Sequence, residues 1–183
     1  MFRVVVGSLS ALAFTIILAV GAAPLVSGQA RAADQAGAAL VLEDFFTGRL
    51  TAEGSFRNRI TGDVRGVTVE MQGTWDGTTL TLVEDFVYSD GATDQLTWIF
   101  TKTGPGTYRG TREDVIGSGR VFQDGDDIRL RYRARLDSGG AIPYIVRFSD
   151  LLVRTGPNTV LNTATVYLAL IPVGEVELVI RRH

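Results

Sequence analysis

Between Leu50 and Ile180, apolar and polar residues alternate with a period of two, interrupted at short intervals by glycine-centred turns. That period sends successive side chains to opposite faces of an extended chain. It therefore predicts strands buried on one side only. The turns divide the run into strands over 50–60, 65–76, 79–89, 93–103, 107–115, 119–123, 127–136, 142–154, 159–169 and 175–182. Asp76-Gly77 and Asp90-Gly91 suit tight two-residue hairpins. Thr61-Gly62-Asp63, Gly104-Pro105-Gly106, Gly117-Ser118-Gly119, Asp124-Gly125, the loop 137–140 and Gly156-Pro157-Asn158 supply other turns. Ile171-Pro172-Val173-Gly174 reads as a break before the last strand, since proline cannot donate within a sheet.

Connections this short make neighbouring strands antiparallel. A flat sheet of about nine or ten strands would have two edges to defend, and closing it on itself removes both. The expected fold is an all-β, antiparallel up-and-down barrel, with a two-sheet sandwich as the alternative. A lipid-embedded barrel is excluded by the row Arg129, Arg131, Arg133 and Arg135, which could not face hydrocarbon.

The chain ahead of the alternation has a different character. Arg3 opens it, Val4 to Val26 is nearly uncharged, and Ala30-Arg31-Ala32 offers small residues where a signal peptidase cuts. This is the layout of a secretory signal over 1–32, and it implies a soluble, periplasmic product. An uncleaved membrane anchor is the competing reading. Residues 33–44 then read as a flexible leader and 45–183 as the barrel domain. The segment LVLEDFFTGRL (40–50) is expected to form a short helix or turn that lays Phe45 and Phe46 over one barrel end.

Composition narrows the chemistry. Cysteine is absent and the only histidine is His183, the last residue. Disulfides, thiol catalysis, histidine triads and histidine-rich metal sites are thereby removed. The formal charge of −2 and the dispersed basic residues argue against nucleic acid as a partner. No glycine-rich phosphate loop, no calcium-loop motif and no other cofactor motif is present. No feature fixes an oligomeric state.

The informative residues are polar ones on apolar faces. Glu84 shares its row with Leu80, Leu82, Phe86 and Tyr88, and Asp150 with Tyr144, Val146, Phe148 and Leu152. Asn162 stands among Val160, Ala164 and Val166, while Asp114 lies in line with Tyr108 and Arg112. A buried, unpaired carboxylate is costly, so these groups require hydrogen-bonding partners, water or a ligand. Tyr88, Trp98, Tyr108, Tyr144 and Phe148 supply aromatic walls, and such walls with a few convergent polar groups describe a small-molecule cavity. The expected site is therefore Glu84, Tyr88, Trp98, Tyr108, Arg112, Asp114, Tyr144, Phe148, Asp150 and Asn162. Its expected occupant is a lipid or another small amphipathic molecule. Carboxylate-dependent hydrolysis or isomerisation and a purely structural polar network are the alternatives. The arginine row is either neutralised by neighbouring acids or touches an anionic membrane surface.

The segments MQGTWDG (71–77), LVEDFVYSDG (82–91), LTWIFTKTGPGTYRG (96–110), REDVIGSG (112–119), VRFSDLLV (146–153), VLNTATVY (160–167) and PVGEVELVI (172–180) resemble the DUF3833 family of bacterial exported proteins and lipoproteins. The likeness spans about residues 43–182. The family's shared polar positions correspond to Glu84, Asp85, Asp90, Asp114, Asp150 and Asn162, and its aromatic ones to Phe86, Tyr88, Trp98 and Tyr108. Its late glycine and glutamate correspond to Gly174 and Glu175. The resemblance implies a lipocalin-like or calycin-like barrel and, through the genomic setting of relatives, a role connected with lipids. This chain departs from the family pattern at Ser149-Asp150-Leu151, where two aspartates and a tryptophan are usual. It departs again at Leu170-Ile171-Pro172, and it lacks the lipid-attachment cysteine that many relatives carry.

Overall fold

The structure, a computed structural model, describes residues 39–136 and 143–183. The signal segment, the leader up to residue 38 and the loop 137–142, with Ile142, lie outside the described residues.

A short helix, α1 (Leu42–Phe46), precedes ten strands: β1 (Gly48–Asn58), β2 (Val64–Trp75), β3 (Thr79–Tyr88), β4 (Thr93–Gly104), β5 (Thr107–Thr111), β6 (Gly119–Asp124), β7 (Asp127–Leu136), β8 (Tyr144–Gly156), β9 (Thr159–Leu168) and β10 (Ile171–Arg182). Each strand pairs antiparallel with its sequence neighbours, and β1 pairs β10 from Leu50↔Arg182 to Asn58↔Gly174, closing the barrel. The fold is thus the expected all-β, up-and-down barrel of lipocalin or calycin type, and the sandwich is set aside. Closure pairs the first and last strands, which would otherwise be the two edges of the sheet.

Two elements differ from the sequence expectation. β5 stops at Thr111 instead of continuing to Val115. Val115 N–H bonds back to the Arg112 carbonyl at 3.0 Å, Gly117 takes a positive φ of 73°, and Ile116 and Arg135 N–H groups pair with Arg133 and Asp114 carbonyls. The chain leaves β4 here to lie along β7. Conversely, β10 begins at Ile171, four residues before the expected start. The barrel passes Pro172 through a register shift between Pro172 and Gly174, so the missing proline donor costs one bulge and not the strand.

The two barrel ends are built differently. At one end the fold reaches further toward the N-terminus than residue 45: Leu40, Leu42, Phe45 and Phe46 are all buried, and Leu40 N–H bonds the Asp126 carbonyl at 2.8 Å. Phe45 and Phe46 meet edge to face with ring centroids 5.1 Å apart, forming a plug with Leu50, Leu80, Ile128 and Val160. Gly73 makes the fit possible, because a Cβ there would lie 1.7 Å from the Phe46 carbonyl oxygen. The opposite end, where β1–β2, β3–β4, β5–β6 and β9–β10 turn, has no comparable cover among the described residues.

Candidate functional site

Inward rows of the strands line an apolar cavity of about 400 Å³. Its lining runs from Leu42 and Phe46 at the plug to Arg65, Tyr88 and Arg135 toward the other end. Size and character fall in the range of small-molecule sites. One wall is aromatic. Trp98 stacks on Phe100 at 4.9 Å and meets Tyr132 edge-on at 5.1 Å, and Tyr132 stacks on Phe148 at 4.8 Å.

Polar groups enter this wall from the first residues after β5. Arg112 donates from Nε and Nη2 to the two oxygens of Asp114 at 2.7 and 2.9 Å, and its Nη1 points to Glu84 Oε2 at 3.5 Å. The guanidinium also lies 4.6 Å from the Trp98 ring centre. Burial opposes the Arg112 charge, but Tyr132, Asp114 and Glu84 outweigh it, so the arginine stays cationic. Glu84 is pushed up to about 7 by burial, against the pull of Arg112.

Asp150 stands across the cavity on β8, 7 % exposed. Burial pushes its carboxyl up to about 7, against the attraction of Arg112 and a hydrogen bond from Asn162. Its Oδ1 and the Oδ1 of Asn162 are buried without a hydrogen-bond partner. Buried acceptors are normally satisfied, so this pair asks for a donor. Two carboxyl groups titrating near neutrality can hold a ligand's donor or exchange a proton with it.

Eight of the ten expected residues line the cavity: Glu84, Tyr88, Trp98, Arg112, Asp114, Phe148, Asp150 and Asn162. Two do not. Tyr108 sits at the plugged end, where its hydroxyl donates to Glu43. Tyr144 is 56 % exposed, because the first residues of β8 rise past the barrel rim. Sequence reasoning missed Arg65, which is inward on the same row as Val67, Val69 and Met71. Its guanidinium donates to both oxygens of Asp90 at 2.9 and 3.0 Å and lies 3.6 Å from the Tyr88 ring centre. Applying the alternation to β2 would have found it.

Glu43 was missed as well. It accepts from Lys102 Nζ at 2.5 Å and from the Tyr108 hydroxyl. Burial works to raise its pKa, yet these two donors hold it below the usual carboxylate range. It carried no sequence signal because it precedes the alternating pattern.

The family model for DUF3833, a protein family of unknown function, matches residues 21–182. The chain belongs to the DUF3833 family. No curated protein matches it. Among solved structures, this DUF3833 barrel is similar to the S-type phycobiliprotein lyase CPES from Guillardia theta, with a TM-score of 0.56 at 10% identity, covering 82% of this chain and 97% of that one. It also matches a de novo designed fluorescence-activating β-barrel, with a TM-score of 0.39 at 19% identity over 77% and 96% of the two chains. The protein EF1p2_mFAP2b, bound to DFHBI, matches with a TM-score of 0.40 at 13% identity over 76% and 95%. The likeness to the lyase concerns the fold alone.

Proposed function

We propose that this DUF3833 protein is an exported, periplasmic barrel that binds a lipid or another small amphipathic molecule in its central cavity. The observation that carries the reading is the cavity itself, apolar along most of its length and polar in one zone. An aliphatic part is accommodated among Phe46, Val69, Leu82 and Ile128, and the polar part faces Asp150 and Asn162. Arg112 is already neutralised by Asp114 and Glu84. The open groups are therefore acceptors, which favour a head carrying a hydroxyl or an amine over a carboxylate or phosphate.

The test is native mass spectrometry of the protein purified gently from its own host, beside the Glu84→Gln and Asp150→Asn variants. The expected result is a lipid-sized adduct on the wild type that is lost or reduced on a folded variant. A bare mass throughout, with variants folded and only shifted in stability, would assign the carboxylates to structure and end the binding reading.

A further inference from the structure

We propose that the outer face of β5–β8 is a docking surface for an anionic lipid bilayer, and that it sets the barrel end opposite the helix against the membrane. The proposal stands apart from what the cavity holds. Its starting point is strand register. Arg109 on β5 pairs directly with Arg120 on β6, Arg120 pairs with Arg131 on β7, and Arg133 on β7 pairs with Arg147 on β8. All five side chains are exposed, and none forms an ion pair with a carboxylate among the described residues.

Like charges facing each other across strands destabilise a sheet. In the same hairpin the Arg129 side chain reaches an acid, Asp124, whereas these five do not. Arg131 and Arg147 instead rest on the rings of Phe122 and Tyr167, at 5.6 and 4.4 Å, which supports extended guanidinium groups without neutralising them. The outer rows of β10, β1, β2 and β3 bear Glu175, Glu177, Glu53, Glu70 and Asp85. Arg49, Arg57 and Arg181 stand on the same rows, so charge there is mixed, unlike the facing arginines of β5–β8.

The second observation is apolar. Tyr144, Ile145, Leu170 and Ile171 are 56, 52, 85 and 63 % exposed at the end opposite the helix, where β8 begins and β9 turns into β10. Arg133, Arg135 and Arg147 lie beside them on β7 and β8. Protruding apolar side chains bordered by arginines match a headgroup layer, which offers negative charge at its surface and hydrocarbon just beneath. A polyanion such as nucleic acid would use the charge and leave the apolar rim uncovered.

The experiment is co-sedimentation of the purified protein with vesicles of phosphatidylcholine alone or mixed with phosphatidylglycerol, at low and raised salt. The mixed vesicles should bind it and the neutral ones should not, with binding weakened by salt. Arg131→Gln/Arg133→Gln should weaken binding about fivefold for each arginine removed. The same variant should melt no lower than the wild type, because it relieves like-charge pairs. Arg49→Gln/Arg181→Gln, on the other flank, should leave vesicle binding unchanged. Equal binding to neutral and anionic vesicles, equal loss from the two double variants, or tighter binding to a single-stranded oligonucleotide than to anionic vesicles would each overturn the proposal.

Discussion

The plug and the cavity bury carboxylates in opposite ways. At the plugged end Glu43 accepts from Lys102 and Tyr108 and stays ionised. In the cavity Glu84 shares one arginine with Asp114, and Asp150 keeps an unanswered oxygen; both are pushed up to about 7. Burial alone therefore does not mark a functional carboxylate. What separates these carboxylates is whether the protein itself supplies enough donors: Glu43 has two, whereas Asp150 keeps one oxygen with none.

Breaking the plug should give the largest effect. Phe45→Ala removes a side chain 1 % exposed at its centre and should cost about 3–5 kcal/mol by urea unfolding. Glu43→Leu leaves the Tyr108 hydroxyl without its acceptor and should cost about 2 kcal/mol in the same measurement. A loss of equal size from Asp150→Leu would erase the distinction between plug and cavity.

Stability against pH sharpens the comparison. Glu84 and Asp150 hold protons more tightly folded than unfolded. Their contribution is complete below the unfolded carboxylate range and is lost as pH rises through about 7. Glu43 has the reverse sign: its contribution is present above the usual carboxylate range and is lost as pH falls through its lowered folded value. Thermal melts should show the first slope flattened in Glu84→Gln and Asp150→Asn and the acid-side loss reduced in Glu43→Gln. Unchanged slopes in these variants would remove the electrostatic contrast.

The cavity's acceptors predict a ligand order. Decanol and decylamine should bind about tenfold more tightly than decanoate, read by Trp98 fluorescence in the Trp75→Phe protein, since a buried acceptor rewards a donor and rejects an anion. Decanoate binding first would show that Arg112, and not Asp150, meets the ligand. The smallest effect is expected at Arg65→Gln: its pair with Asp90 is partly exposed and screened by solvent, and its loss should shift the urea midpoint least of the variants named.

The wall was legible because β-strands obey a strict two-residue period. That period alone places Glu84 beside Leu82 and Asp150 beside Phe148, and closure turns those rows inward. Depth along the axis was not legible, since alternation says which face a residue takes and not where the strand ends. Tyr108 and Tyr144 were assigned to the right kind of row, yet one lies at the plug and the other beyond the rim. Arg112 and Asp114 meet for a different reason from the expected one. They share no strand face; they follow the end of β5, where the chain turns toward β7 and brings a bidentate pair beside Glu84. The segment 40–50 was legible as a cap through Phe45 and Phe46, but the burial of Leu40 and Leu42 and the partners of Glu43 carry no periodic signal, and only packing reveals them.

The most direct test of the central claim is to fill the cavity without touching its charges. Ala164 is 6 % exposed, lines the cavity, and stands directly across from Asp150 in the β8–β9 register. Binding of an anilinonaphthalene probe should be measured by energy transfer from Trp98 in the Trp75→Phe protein, with and without Ala164→Phe. The account predicts saturable binding that the added ring abolishes while the protein still melts cooperatively. Undiminished binding in the filled, folded protein would place the probe outside the barrel and contradict the claim that the interior is a ligand site.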